Sequence, residues 1–123
     1  MKVVITLLLF VSCAAQADSL AGKLWLETNK EMGNIECPNA VKFHQIKFEV
    51  LNDCYGIDIK VPIVETGLYE YKNRQLKLKN RKKTQSGIGF LPGRANLTAD
   101  IVNLTSEKLT LKVGNNYLYF ISK

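Results

Sequence analysis

Apolar and polar residues alternate along most of this chain. Ile46, Phe48 and Val50 are interleaved with Lys47 and Glu49, and Tyr55, Ile57, Ile59 and Val61 with Asp58 and Lys60. Leu76 and Leu78 alternate with Lys77 and Lys79, and Leu109, Leu111 and Val113 with Lys108, Thr110 and Lys112. A period of two puts one face of each segment on a core and the other in water, the pattern of antiparallel strands. No stretch after the first 17 residues keeps a 3.6-residue apolar stripe over several turns; Asn29–Asn34 has room for one helical turn.

Turn residues fall between the alternating runs. Lys72-Asn73-Arg74 and Gly114-Asn115-Asn116 read as tight hairpins, because Gly and Asn tolerate positive φ. Asn52-Asp53 marks a third turn, and Ser86–Gly89 with Pro92-Gly93 a looser region. The pattern predicts eight or nine strands, at about 20–28, 43–51, 54–61, 67–72, 75–81, 86–90, 95–103, 107–113 and 117–122. Many short strands joined by consecutive hairpins predict an all-β fold: a small antiparallel up-and-down barrel of about eight strands, with a β-sandwich as the alternative. The apolar phase slips at His44-Gln45, from odd positions Val41 and Phe43 to even positions Ile46, Phe48 and Val50. A bulge or a bend is expected there.

The first 17 residues stand apart. Met1-Lys2 precedes an apolar run from Val3 to Val11, and Ala15-Gln16-Ala17 forms a small-x-small site before Asp18. This is the layout of a cleaved secretory signal, followed by one domain over residues 18–123, and it predicts a periplasmic or secreted protein. Phe10-Val11-Ser12-Cys13 also resembles a lipobox, so an outer-membrane lipoprotein anchored through Cys13 is the alternative. Membrane attachment is expected only in that case. In an oxidising compartment Cys37 and Cys54 read as a disulfide, worth about 3 kcal/mol by loop closure. Disulfide Cα atoms lie within about 7 Å, whereas a straight strand from Lys42 to Leu51, which these cysteines flank, would be roughly 33 Å long. The segment from Cys37 to Phe43 must therefore fold back, or the strand must begin near Gln45.

Charge is unevenly distributed. Residues 18–70 hold five Lys/Arg against nine Asp/Glu, and residues 71–123 hold eleven against two. Lys72, Arg74, Lys77, Lys79, Arg81, Lys82 and Lys83 crowd one hairpin with no acid among them. They form a candidate surface for an anionic partner, or an edge guarded against aggregation. Nucleic acid is not expected outside the cell; an envelope component or an acidic protein is. Phe48, Tyr69, Tyr71, Tyr117, Tyr119 and Phe120 are candidates either to line an apolar ligand pocket or to fill the core.

Catalytic chemistry finds little footing. His44 is the sole histidine, no nucleophile elbow appears, and Gly87-x-Gly89 lacks the lysine of a phosphate loop. We expect no catalytic residues, metal or cofactor. Asn96-Leu97-Thr98 and Asn103-Leu104-Thr105 match the glycosylation sequon, but no glycan is expected on a bacterial-type export product.

Three segments carry a family resemblance. Gly22-Lys23-Leu24-Trp25 is similar to the Gly-x-Trp opening strand of lipocalins, displaced by one residue. Gly67-Leu68-Tyr69 with Leu76-Lys77-Leu78 resembles a Gly-x-Tyr, turn, Leu-x-Leu hairpin. Ile101–Thr105, Leu109–Leu111 and Tyr117–Phe120 resemble a closing hairpin. Together they resemble the small exported lipocalin-like barrels of bacteria. The resemblance implies an eight-stranded barrel and a non-catalytic role in binding a small apolar or amphipathic ligand; the alternative is an interaction or inhibitor module docking through the basic hairpin. If Leu24 and Leu26 point inward, alternation turns Trp25 outward.

Overall fold

The computed structural model describes residues 20–52, 63–83, 91 and 94–123. Eight strands are found among them: β1 (Leu24–Thr28), β2 (Ala40–Phe43), β3 (Lys47–Leu51), β4 (Ile63–Lys72), β5 (Gln75–Lys83), β6 (Leu97–Leu104), β7 (Lys108–Val113) and β8 (Asn116–Ser122). Each pairs antiparallel with its neighbour in sequence, and β1 pairs with β8 to close the barrel. Closure leaves no free edge among these strands, the usual liability of a small sheet. The expected segments 54–61 and 86–90, and the N-terminal residues 1–19, lie outside the described residues. No described helix is long and apolar enough to cross a membrane.

The expected strand 43–51 is two strands. Phe43 ends β2, His44–Ile46 turn, and β3 runs back with Phe43 opposite Phe48 and Val41 opposite Val50. The apolar phase slip was therefore the signature of a reversal. Asn73 and Arg74 take positive φ of 54° and 60°, which matches the two-residue turn suited to the right-handed twist of a hairpin. Gly114, at φ 60°, turns β7 into β8.

Trp25 corrects the expected phase of β1. It is fully buried, while Leu24 and Leu26 are half-buried on the other face. The indole is the larger apolar body, and its Nε1 donates to the Leu20 carbonyl at 2.9 Å, so its polar atom is satisfied inside. Leu20 is buried with it, and Gly22 N donates to the Phe43 carbonyl at 3.0 Å. The Leu20–Lys23 turn thus closes the barrel end that carries the short β2–β3, β4–β5 and β6–β7 turns. The longer connections β1–β2 and β5–β6 lie at the opposite end.

A bulge in β5 decides which basic residues reach the surface. Leu68 faces Lys79 and Thr66 faces Lys82, so Asn80 and Arg81 together oppose the single residue Gly67. Asn80 takes the left-handed conformation at φ 53°. The extra residue reverses the alternation: Lys77 and Lys79 point outward before it, Lys82 points outward after it, and Arg81 points in. Gly67 is required opposite the bulge, because a Cβ there would lie 2.7 Å from Phe48 Cε1 and 3.0 Å from the Lys79 carbonyl oxygen.

Candidate functional site

The barrel centre is the first place to seek a ligand. Phe48 and Phe120, expected as pocket lining, have 0% exposure, as do Trp25, Phe43, Leu76 and Leu111. A side chain lining an open cavity would be reached by water; these are not, and they belong to the packed core. Tyr69 and Tyr71 pair with Leu78 and Leu76 and pack against this core from one end. Tyr69 meets Phe43 edge-on at 4.9 Å and donates its hydroxyl to the His44 carbonyl. Burial raises the pKa of that phenol above its ordinary value. Tyr117 and Tyr119 depart further from expectation. They alternate with the inward Leu118 and Phe120, so they stand on the outer wall, with Tyr117 48% exposed. Their rings are near-parallel at 6.5 Å, and Lys112 Nζ lies 5.7 Å from the Tyr117 ring centre.

Arg81 departs from the expected basic surface. Its guanidinium is buried and grips Glu65 with Nε to Oε2 at 2.7 Å and Nη2 to Oε1 at 3.1 Å. It also donates to the Arg94 carbonyl at 2.9 Å and the Leu91 carbonyl at 2.6 Å. The planar fork of arginine suits such a bidentate grip. The pair ties β4 and β5 to the β5–β6 connection and, with buried Leu91, caps the second end of the barrel. Arg81 and Glu65 are therefore a structural clamp. Sequence alternation hid it, because the bulge at Asn80 changed the phase one residue earlier. Lys83, opposite Glu65, shares the reversed phase and leaves the outer row. Arg74 spends a guanidinium nitrogen on the Val102 carbonyl at 2.9 Å.

What remains on the outer wall is a row of cations. Lys77, Lys79 and Lys82 follow one another along β5, Lys72 stands at the end of β4, and Lys47 on β3; all are exposed. Glu70 lies directly opposite Lys77 and is bonded to Lys79. That hydrogen bond, the Lys79 charge, and the more distant Lys77 and Lys72 charges hold its carboxyl below the usual range. A second acid, Glu49, accepts from His44 Nε2 at 2.5 Å, and a third, Asp100 of β6, accepts from Gln75 Nε2 at 3.3 Å. Two shallow depressions flank β5. One, of about 460 Å3, lies among Lys47, Thr66, Leu68, Asn80 and Lys82. The other, of about 240 Å3, lies among Lys77, Lys79, Asn96 and Thr98, where the β5–β6 ladder ends at Leu78 and Leu97.

A third depression, of about 640 Å3, lies against the β2–β3 turn, lined by Ala21, Gly22, Phe43 and Ile46, with Ile46 69% exposed. Among the described residues no cluster of His, Cys, Asp and Glu is grouped to hold a metal ion. Cys37 sits at φ 49° in the β1–β2 connection, and its carbonyl accepts from Asn52 Nδ2 at 3.2 Å. Cys13 and Cys54 lie outside the described residues.

No protein-family model and no curated protein matches this chain. Among solved structures, the crystal structure of a lipocalin-like protein from Bacteroides uniformis is similar over 85% of this chain and 99% of its own length. The TM-score is 0.61 at 16% sequence identity. Strand order, closure and this likeness together show that the chain has the lipocalin-like fold.

Proposed function

We propose that this is an exported, non-catalytic binding protein that meets an anionic partner with its outer wall. The fold is of the binding-protein type, which supports the general class. Between the two expected modes, the apolar ligand inside the barrel is the weaker. Its candidate lining residues Phe48 and Phe120 are without accessible surface, and Tyr117 and Tyr119 face outward. The observation that carries the proposal is a centre filled by the described side chains beside an outer wall where five lysines stand against three acids, Glu49, Glu70 and Asp100. The partner class is an anionic component of the envelope or extracellular space, in line with the signal-like segment at 1–17. An apolar or amphipathic ligand retains a foothold in the depression beside exposed Ile46.

A disulfide between Cys37 and Cys54 belongs to the same reading. It is supported by Asn52, two residues before Cys54 in sequence, whose Nδ2 donates to the Cys37 carbonyl at 3.2 Å. It would anchor the β1–β2 connection to the end of β3.

The test is retention of the purified protein on an anionic resin across a salt gradient, beside titration with a hydrophobic dye and with a long-chain fatty acid. We expect salt-dependent retention and no stoichiometric uptake. Uptake at one per chain by well-folded protein, lost in Trp25→Phe but kept in Lys77→Glu/Lys79→Glu, would return the reading to the barrel interior.

A further inference from the structure

We propose that the outer face of β5 is a track for a linear acidic polysaccharide, with Glu70 as its built-in competitor. This rests on the outer-wall reading above and narrows it to one strand and one partner class. Three features of the wall carry it.

First, the cations lie in file. Lys77, Lys79 and Lys82 span five residue steps along one strand, roughly 16 Å at the usual rise. They do not converge on a point, as a cradle for a single phosphate or carboxylate would. Lys47 flanks the file from β3, across the 460 Å3 depression it shares with Lys82. The bulge at Asn80 keeps the file continuous: by turning Arg81 inward it brings Lys82 back onto the face of Lys77 and Lys79. Charges repeating along a line match charges repeating along an extended polymer.

Second, neutral hydrogen-bonding groups accompany the charges. Thr66 and Asn80 line one depression, and Asn96 and Thr98 the other. Sugar hydroxyls can use such groups, and a polymer with alternating acidic and neutral positions would engage both kinds. A bilayer would ask for something else, apolar side chains to insert among acyl chains. The large apolar side chains exposed beside these lysines are two, Leu68 at 40% and, at the end of the file next to Lys47, Ile46 at 69%; Thr66, Asn80, Asn96 and Thr98 outnumber them. The balance of features favours a hydrated polymer over a lipid surface.

Third, an acid already occupies the track. Glu70 is bonded to Lys79 and opposite Lys77. An arriving carboxylate or sulfate must displace that bond or share the lysines with it. Both side chains of the pair are about half-exposed, so the bond is worth little by itself and exchange is inexpensive. Removing the Glu70 charge therefore leaves the fold intact and tightens the polymer.

The experiment is titration of fluorescently labelled dextran sulfate and of polygalacturonate into the full exported protein at several salt concentrations. For wild type we expect affinity to fall steeply with salt, with a log–log slope of about −3 if four lysines each displace a counter-ion from a single-stranded polyanion. Lys77→Glu/Lys79→Glu and Lys47→Glu/Lys82→Glu should each abolish measurable binding, and Glu70→Gln should tighten it about two- to fivefold, the worth of one exposed ion pair. Lys108→Glu/Lys112→Glu, on the wall of β7, makes the same change in net charge and should retain most of the affinity. Equal loss in that control would refute the track while leaving a diffuse electrostatic partner in place. Unchanged affinity in Glu70→Gln would remove Glu70 as competitor. Absence of salt-dependent binding in wild type would sink the outer-wall reading itself. Tighter binding to phosphatidylglycerol vesicles than to either polymer, dependent on the same lysines, would replace the polymer with a membrane. Circular dichroism of each variant confirms that it is folded.

Discussion

The Arg81–Glu65 clamp gives the sharpest test of how this small barrel is closed. Replacing Arg81 by Ala leaves the Glu65 carboxylate with 0% exposure and without its bidentate partner, and takes a donor from the Leu91 and Arg94 carbonyls. Removing one member of a buried ion pair costs about 3–5 kcal/mol, mostly because the other charge stays buried. A domain on the order of 100 residues has an unfolding entropy of about 0.2 kcal/mol/K, so each kcal/mol moves Tm by about 5 °C. Arg81→Ala should therefore lower Tm by about 15–25 °C. In urea the midpoint should fall with the slope unchanged, the mark of lost stability rather than a changed denatured state. Arg81→Lys should fall between, because an ammonium keeps the charge but not the planar fork. The double variant Glu65→Leu/Arg81→Met should recover most of the loss, since an apolar pair of similar volume avoids the desolvation cost. A loss below about 1 kcal/mol in Arg81→Ala would refute the reasoning. So would a double variant no more stable than the single one.

Three further outcomes follow from the packing. Gly67→Ala places a Cβ 2.7 Å from the Phe48 ring and 3.0 Å from backbone at Lys79, and should cost about 1–3 kcal/mol by urea unfolding; a neutral effect would show that the bulge can open. Trp25 is the only tryptophan and has 0% exposure, so native emission should be blue-shifted and resistant to iodide; Trp25→Ala should cost about 3–5 kcal/mol. Tyr69 is held protonated above its ordinary pKa of 10.0 by burial. Above pH 10 the unfolded chain therefore loses a proton that the folded chain retains, and stability declines as pH rises. Tyr69→Phe should lessen that alkaline decline in Tm, and an identical decline in both proteins would contradict it.

Much of the barrel could be read from alternation because most strands here keep one phase along their length. Leu76 and Leu78, and Leu109 and Leu111, are buried as their spacing predicts. The failures cluster where phase changes within a run. At His44–Ile46 a three-residue turn was short enough to resemble a slip inside one strand. At Asn80 a single left-handed residue turned Arg81 from the surface to the interior, and nothing in a run of basic residues signals which one finds a carboxylate. In β1, alternation separates Trp25 from Leu24 and Leu26 without saying which set faces in; the larger ring and its donor to the Leu20 carbonyl decide it. In β8, Tyr117 and Tyr119 alternate with Leu118 and Phe120, so aromatic content alone could not say which pair faces in. The candidate site shares this weakness: the outward lysines could be inferred from period two, whereas the place of Lys47 beside them depends on strand pairing across β3 and β4.

Strand closure has a consequence for engineering. Trp25 in β1 stands opposite Ser122 in β8, and Lys123 N donates to the Leu24 carbonyl at 2.8 Å. The two extremities of the barrel thus meet at one seam, so a short glycine-rich bridge could join them and new ends be opened at Gly114-Asn115 without breaking a ladder. Such a circular permutant should keep its native pairing while presenting fused cargo from the opposite rim.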